Sequence, residues 1–191
     1  MCLINQLTML CKSRLGLNNS GKTAILYRLK FGEFFDTTPT VSFNVETVTV
    51  NKKRLKIWDV GGNDKQRPLW KSYLRRCDGI IFVVDSSDEI RMEEAKHELL
   101  AIEKSPDMAH VPIVIMANKQ DIPGALSPMT VARMLSLKEL TRNRPWHVQS
   151  TCARNGNGIN EGIHQLCEMT RKKSQKQLIK PSRNSFTAIA L

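Results

Sequence analysis

The chain has 191 residues, one domain's length, of which 41% are hydrophobic and 25% charged. That mix excludes wholesale disorder and allows a proper buried core. Lys and Arg number 29 against 18 Asp and Glu, a formal net charge of +11, which points to an anionic partner: a phosphate ligand, an anionic membrane or a nucleic acid.

Along the chain, Met1 to Cys11 is apolar but has neither the basic start nor the small-residue cleavage site of a signal peptide. No apolar run approaches the ~20 residues of a transmembrane helix. Leu3, Ile4, Leu7, Leu10 and Cys11 recur at helical spacing. That suits a helix lying on a membrane, and equally a segment docked on the domain or filling a strand's place. Thr23 to Phe31 is helical, with Ile25, Leu26 and Leu29 in register. Residues 41 to 60 read as two strands around the polar turn Asn51-Lys52-Lys53. The runs 80–84 and 111–116 are uniformly apolar, as in strands buried on both faces of a parallel sheet. Between them, Asp88 to Lys104 carries Met92, Ala95, Leu99 and Ile102 on one helical stripe. Ser127-Pro128 reads as an N-cap followed by proline at the first helical position. Trp146 to Gln149 is a weaker last strand, and Asn160 to about Lys176 a last helix. The alternation predicts an α/β class, a doubly wound, mostly parallel sheet. Residues 1–15 form an atypical start, 16–174 the domain and 175–191 a flexible tail.

The five cysteines have no CxxC spacing, which argues against a disulfide framework or a zinc site and fits a reducing cytoplasmic compartment. After Thr170 come six basic residues, Arg171, Lys172, Lys173, Lys176, Lys180 and Arg183, and no acidic one. Such a tail reads as a solvated end, a membrane contact or a nuclear import signal. It has no aromatic-basic interleaving, which argues against nucleic acid.

Three motifs follow predicted strands, where a doubly wound sheet binds ligands. Gly16-Leu17-Asn18-Asn19-Ser20-Gly21-Lys22-Thr23 fits G-x-x-x-x-G-K-[ST]: glycines let the backbone N–H groups cradle phosphates at a helix N-terminus, Lys22 reaches the β- and γ-phosphates, and Thr23 holds Mg²⁺. Trp58-Asp59-Val60-Gly61-Gly62 ends a strand; Asp59 suits Mg²⁺ through a water, and the Gly62 N–H suits the γ-phosphate. Asn118-Lys119-Gln120-Asp121 follows the second apolar run. Asp121 can pair with the two neighbouring N–H donors of guanine, a pair adenine lacks. Asn118 can tie the loop, the Lys119 stem can pack on the ring, and in Thr151-Cys152-Ala153 the Ala153 N–H can meet the guanine oxygen.

Together with Pro39-Thr40, Phe43-Asn44-Val45-Glu46 and Arg67-Pro68-Leu69-Trp70, these phrases resemble a small GTPase of the ADP-ribosylation factor-like branch, over about Gly16 to Thr170. The resemblance implies a Ras-like P-loop fold and a monomeric GTP/GDP switch in membrane traffic or cytoskeletal signalling. It implies that Thr40 closes over Mg²⁺ in the GTP state. It also implies that Phe43, Trp58 and Tyr73 form an aromatic platform for exchange factor, activating protein and effectors; plain core packing competes as the reading of those three.

The chain departs from the family pattern in four places. Asn63 stands where the family has the glutamine that orients attacking water, and a group misplaced by ~1 Å can cost about a hundredfold in rate. This predicts slow hydrolysis. Asn18 replaces the usual aspartate, in a loop that asparagine's tolerance of left-handed backbone helps to preserve. Ser42 replaces a glycine after Thr40-Val41. Cys11-Lys12-Ser13-Arg14 stands where a buried first strand should be apolar, which predicts either a short, distorted strand or an alternative terminus over Met1 to Arg14. Cys2 stands where myristoylation needs glycine, so membrane residence would rest on the apolar start and the basic tail together. A GTP-binding module with negligible turnover is the alternative that Asn63 favours; a P-loop kinase or ATPase is disfavoured by Asn118-x-x-Asp121.

Overall fold

A computed structural model of the chain describes residues 10–38, 40, 43–70, 74, 77–108, 110–140 and 144–179. Its elements run β1 (Leu10–Leu15), α1 (Lys22–Phe31), β2 (Phe43–Val50), β3 (Lys53–Val60), a 3-10 turn (Arg67–Leu69), β4 (Gly79–Asp85), α2 (Met92–Glu103), a second 3-10 turn (Pro106–Met108), β5 (Ile113–Asn118), α3 (Pro128–Met134), α4 (Leu137–Leu140), β6 (Trp146–Ser150) and α5 (Ile159–Ile179). The strands form one sheet in the order β2-β3-β1-β4-β5-β6. Only β2 is antiparallel to its neighbour. This is the mostly parallel α/β architecture expected.

The apolar runs explain the layers. Ile80, Phe82 and Val84 face one core with Leu15, Trp70, Met92, Leu99 and Ile115. Ile81 and Val83 face the other with Ile25, Leu26, Leu55, Val114 and Ile163. Strand side chains alternate with a period of two, so one continuous apolar run serves two cores. α2 and α3 close the first layer, α1 and α5 the second. Asn51 and Lys52, with φ of 50° and 63°, turn β2 into β3 with the left-handed pair that suits a two-residue hairpin.

β1 corrects one expectation and decides between two readings. It is not distorted: it pairs in regular parallel register with β3 and with β4. Leu10 and Cys11 lie in this strand, the reading in which the end of the apolar start fills a strand's place. The polar residues are accommodated because the far layer supplies a partner. Lys12 is fully buried, and its ammonium donates to Thr170 Oγ1 on α5 at 2.9 Å. The Thr170 hydroxyl donates in turn to the Leu166 carbonyl at 2.8 Å. A hydrogen-bonded charge costs far less to bury than a bare one.

α5 runs on to Ile179, beyond the fading of its apolar period near Gln175. Residues 1–9, with Cys2 and most of the apolar start, and 180–191, with Lys180 and Arg183, lie outside the described residues, as do Ser42 and Tyr73. Among the described residues no helix is long and apolar enough to cross a membrane.

Candidate functional site

The three motifs and Thr151-Cys152-Ala153 all sit at the carboxyl ends of parallel strands, β1, β3, β5 and β6, so the sheet brings them to one edge. The loop from Gly16 leads into α1. There the Lys22 ammonium donates back to the Leu17 carbonyl at 2.8 Å, and Ser20 Oγ donates to the same oxygen at 2.9 Å. Asn19, not Asn18, takes the left-handed conformation, with φ of 62°. No side chain caps the start of α1, so its first N–H groups remain available to a phosphate at the loop. Gly21 has φ of 89°, and a Cβ there would lie 2.3 Å from Asn118 Nδ2; glycine lets the base loop close against the phosphate loop.

Lys22, Thr23, Thr40, Gly62 and Asn63 line one cleft together with Asn18, Asn19, Gly21, Thr37 and Thr38. Inside it Thr23 Oγ1 donates to Asp59 Oδ2 at 2.8 Å and lies 2.9 Å from Thr40 Oγ1. Asp59 is fully buried, and its other oxygen, Oδ1, has no hydrogen-bond partner. Two hydroxyls and a carboxylate with a free oxygen are a hard, all-oxygen donor set. That fits Mg²⁺, which takes one or two protein oxygens together with substrate phosphates.

Gly62 rests on the phosphate loop. Its carbonyl accepts from the Asn18 N–H at 3.1 Å and from Arg67 Nε at 2.9 Å. A Cβ on Gly62 would lie 2.2 Å from the Gly16 carbonyl, so only glycine permits this approach. Asn63 does something the sequence did not suggest. Its Oδ1 accepts from the Gln66 N–H at 3.0 Å, while its own carbonyl accepts from the N–H groups of Gln66 and Arg67. The short amide thus caps the turn that follows it.

At the base end, Asn118 holds three loops at once. Its Nδ2 donates to the Ser20 carbonyl at 2.9 Å. Its Oδ1 accepts from the Ala153 N–H at 3.1 Å and from the Thr151 hydroxyl at 3.5 Å. Asp121 is exposed and accepts from the Cys152 thiol at 3.1 Å. Burial pushes that thiol above its ordinary pKa, and the bond to Asp121 acts in the same direction. Lys119, with φ of 66°, pairs with Asp85 at 2.5 Å. On β2 and β3, Phe43 and Trp58 stack with ring centroids 5.6 Å apart. Phe43 is exposed and Trp58 half-buried against the core, so the pair is both core edge and surface.

Against known proteins, residues 6–170 match the ADP-ribosylation factor family. The chain belongs to the ADP-ribosylation factor family. It is 49% identical to ADP-ribosylation factor-like protein 4A of Homo sapiens over 164 residues, 83% of this chain and 82% of that protein. It is 48% identical to ADP-ribosylation factor-like protein 4C of Homo sapiens over 170 residues, 85% of this chain and 88% of that protein. Its fold is similar to that of the Arl6 BBS3 small GTPase from Trypanosoma brucei with bound nucleotide analogue GppNp: the TM-score is 0.80 at 34% identity, over 86% of this chain and 99% of that one. As an Arf-like small GTPase, the chain is a GTP-binding switch by family.

Sequence reasoning missed the residues around this Arf-family site that act through others. Arg91 and Glu94 meet Asn18 and Arg67. The spacing of Arg91 and Glu94 signals an i,i+3 pair, but nothing local joins Arg91 to Asn18, 73 positions away.

Proposed function

We propose that this chain binds GTP and GDP with Mg²⁺ and works as a switch with slow intrinsic hydrolysis. The observation that carries the reading is the Thr23–Thr40–Asp59 corner, where a buried carboxylate oxygen lies without a hydrogen-bond partner. Thr23, Thr40 and Asp59 would hold Mg²⁺, which when bound neutralises charge on the β- and γ-phosphates. Gly16, Leu17, Asn18, Asn19, Ser20, Gly21 and Lys22 wrap the phosphates with backbone N–H groups and one ammonium. Gly62 offers its N–H to the γ-phosphate. Asn118 ties the base loop, Asp121 reads guanine, Lys119 packs on the ring by its stem, and Cys152 with Ala153 closes the base end. A guanine paired with Asp121 would take the place that the Cys152 thiol holds at 3.1 Å.

Slow turnover follows from Asn63. Its Oδ1 is engaged by the Gln66 N–H at 3.0 Å, so the amide that would orient water serves the turn instead. The same observation favours a second reading, a GTP-binding module with negligible turnover. Loading the chain with labelled GTP and following bound GTP and GDP separates them. Asn63→Gln is expected to raise the single-turnover rate by about ten- to a hundredfold; equal rates sink the account of Asn63. ATP failing to displace a fluorescent GDP analogue is the expected test of base choice.

Phe43, Trp58 and Tyr73 are the surface for exchange factor, activating protein and effectors. The switch acts as a monomer in the cytoplasm on membrane traffic or cytoskeletal signalling. Its basic end, from Arg171 on, contacts anionic lipid, with nuclear import as the competing use of the same charges. Sedimentation with anionic vesicles is expected to weaken when residues 171–191 are removed; unchanged binding takes the tail out of the account.

A further inference from the structure

Two arginines with no assigned nucleotide contact meet on the γ-phosphate side. The Arg67 side chain is only 10% exposed. Its Nε donates to the Gly62 carbonyl at 2.9 Å. Its Nη2 pairs with Glu94 at 2.7 Å and with Asp64 at 2.9 Å, and its Nη1 reaches Glu98 at 3.3 Å. On the other side of Glu94, Arg91 Nε donates to that carboxylate at 2.8 Å. Arg91 Nη1 and Nη2 donate to the backbone carbonyl and the Oδ1 of Asn18, at 3.1 and 2.7 Å. The Asn18 N–H donates to the Gly62 carbonyl at 3.1 Å and closes the path. Asn18, Arg91, Glu94, Arg67 and Gly62 thus form a ring that joins the phosphate loop, the loop after β3 and the start of α2.

Every link of the ring but the last involves a charged group, and such hydrogen bonds are roughly twice as strong as neutral ones. The α2 corner is anchored, because Met92, Ala95 and Leu99 are buried in the core. The ring therefore ties the Gly62 carbonyl, and through it the Gly62 residue, to a part of the molecule fixed on the sheet. In the same arrangement Thr40 faces Thr23 and Asp59. We propose that Arg67 and Arg91, joined through Glu94, are positioning residues for γ-phosphate recognition: they hold Gly62 where its N–H can meet a third phosphate. The inference rests on the reading of this edge as a GTP switch, and adds what keeps its γ-phosphate sensor in place. The consequence is selective. GTP and GDP share base, ribose and two phosphates, so a ring that acts at Gly62 weighs on GTP far more than on GDP.

The test uses the full chain, a fluorescent GDP and a non-hydrolysable GTP analogue. Glu94→Gln is expected to weaken the GTP analogue by about tenfold while GDP changes by less than about twofold. Arg91→Gln, on the other side of the same carboxylate, is expected to do the same, and it keeps the test open should Glu94→Gln fail to fold. Adding Asn18→Ala to Glu94→Gln is expected to cost less than the sum of the two, since both cut one ring. Glu93→Gln, on an exposed neighbour outside the ring, is expected to change neither affinity. Equal weakening of both nucleotides makes the ring plain scaffolding and overturns the proposal, as does an unchanged preference for GTP. If the unmodified chain binds neither nucleotide, the switch reading itself falls and takes the ring's role with it.

Discussion

The proposed base end and the proposed metal end of the candidate site are built differently. At the base end Asn118 spends its amide on the chain itself, donating to Ser20 and accepting from Ala153 and Thr151. At the metal end Asp59 is as deeply buried, yet one oxygen is left over. A satisfied buried amide supports the fold with or without a ligand, whereas an unsatisfied buried carboxylate oxygen burdens it until something meets it. One half of the candidate site is therefore also a strut, and the other half holds a buried carboxylate oxygen that a cation would satisfy.

The largest expected effect is at the strut. Asn118→Ala removes three tertiary bonds and leaves the Ser20 carbonyl and the Ala153 N–H without their partner. It should lower the melting temperature by the equivalent of about 2–4 kcal/mol and nucleotide affinity by about a hundredfold or more, read by thermal unfolding and fluorescent GDP binding. Asp59→Asn should behave otherwise. Nucleotide affinity should lose its dependence on Mg²⁺, a loss of about tenfold or more in a magnesium titration, while the nucleotide-free chain melts at an unchanged or higher temperature. A fall in melting temperature as large as that of Asn118→Ala would break the comparison.

Lys12 sharpens it, as a buried charge that the chain does satisfy, through Thr170. A well-packed apolar replacement for a buried charge is often neutral or stabilising, so Lys12→Leu should raise the melting temperature by the equivalent of about 1–3 kcal/mol. A marked drop would mean that the Thr170 contact organises α5 as Asn118 organises the base loop. The smallest effect concerns acid. The hydrogen bond from Arg91, helped by Arg67, holds the Glu94 carboxyl below the usual glutamate range. Its pKa is lower folded than unfolded, so its contribution is present above the unfolded value of about 4.3 and is lost as pH falls through the lowered one. The melting-temperature difference between the chain and Glu94→Gln should stay flat from about pH 7 to 5 and vanish in stronger acid.

Much of this was legible from local order. Ser127-Pro128 announced a capped helix, and Ser127 Oγ accepts from the Thr130 N–H. The runs at 80–84 and 111–116 announced strands buried on both faces, and they are the neighbouring β4 and β5. Motif order brought the three motifs together because each follows a strand, and parallel strands deliver their carboxyl ends to one edge. The start of the chain was misleading for a physical reason. Leu10 and Cys11 suit a helical stripe by spacing alone, and Lys12 argues against a buried strand until its partner is known. That partner, Thr170, lies 158 positions away.

The sequence by itself determined the candidate phosphate and guanine residues, because such motifs depend on residue type and on spacing within a few positions. Only the tertiary structure decided how the groups are engaged: that Asn63 caps a turn, that Asp59 keeps a free oxygen, that Arg91 reaches Asn18, and that β1 can bury a lysine. Each of these turns on a hydrogen-bond partner, and partners are assigned by the packing of elements that the chain itself sets far apart.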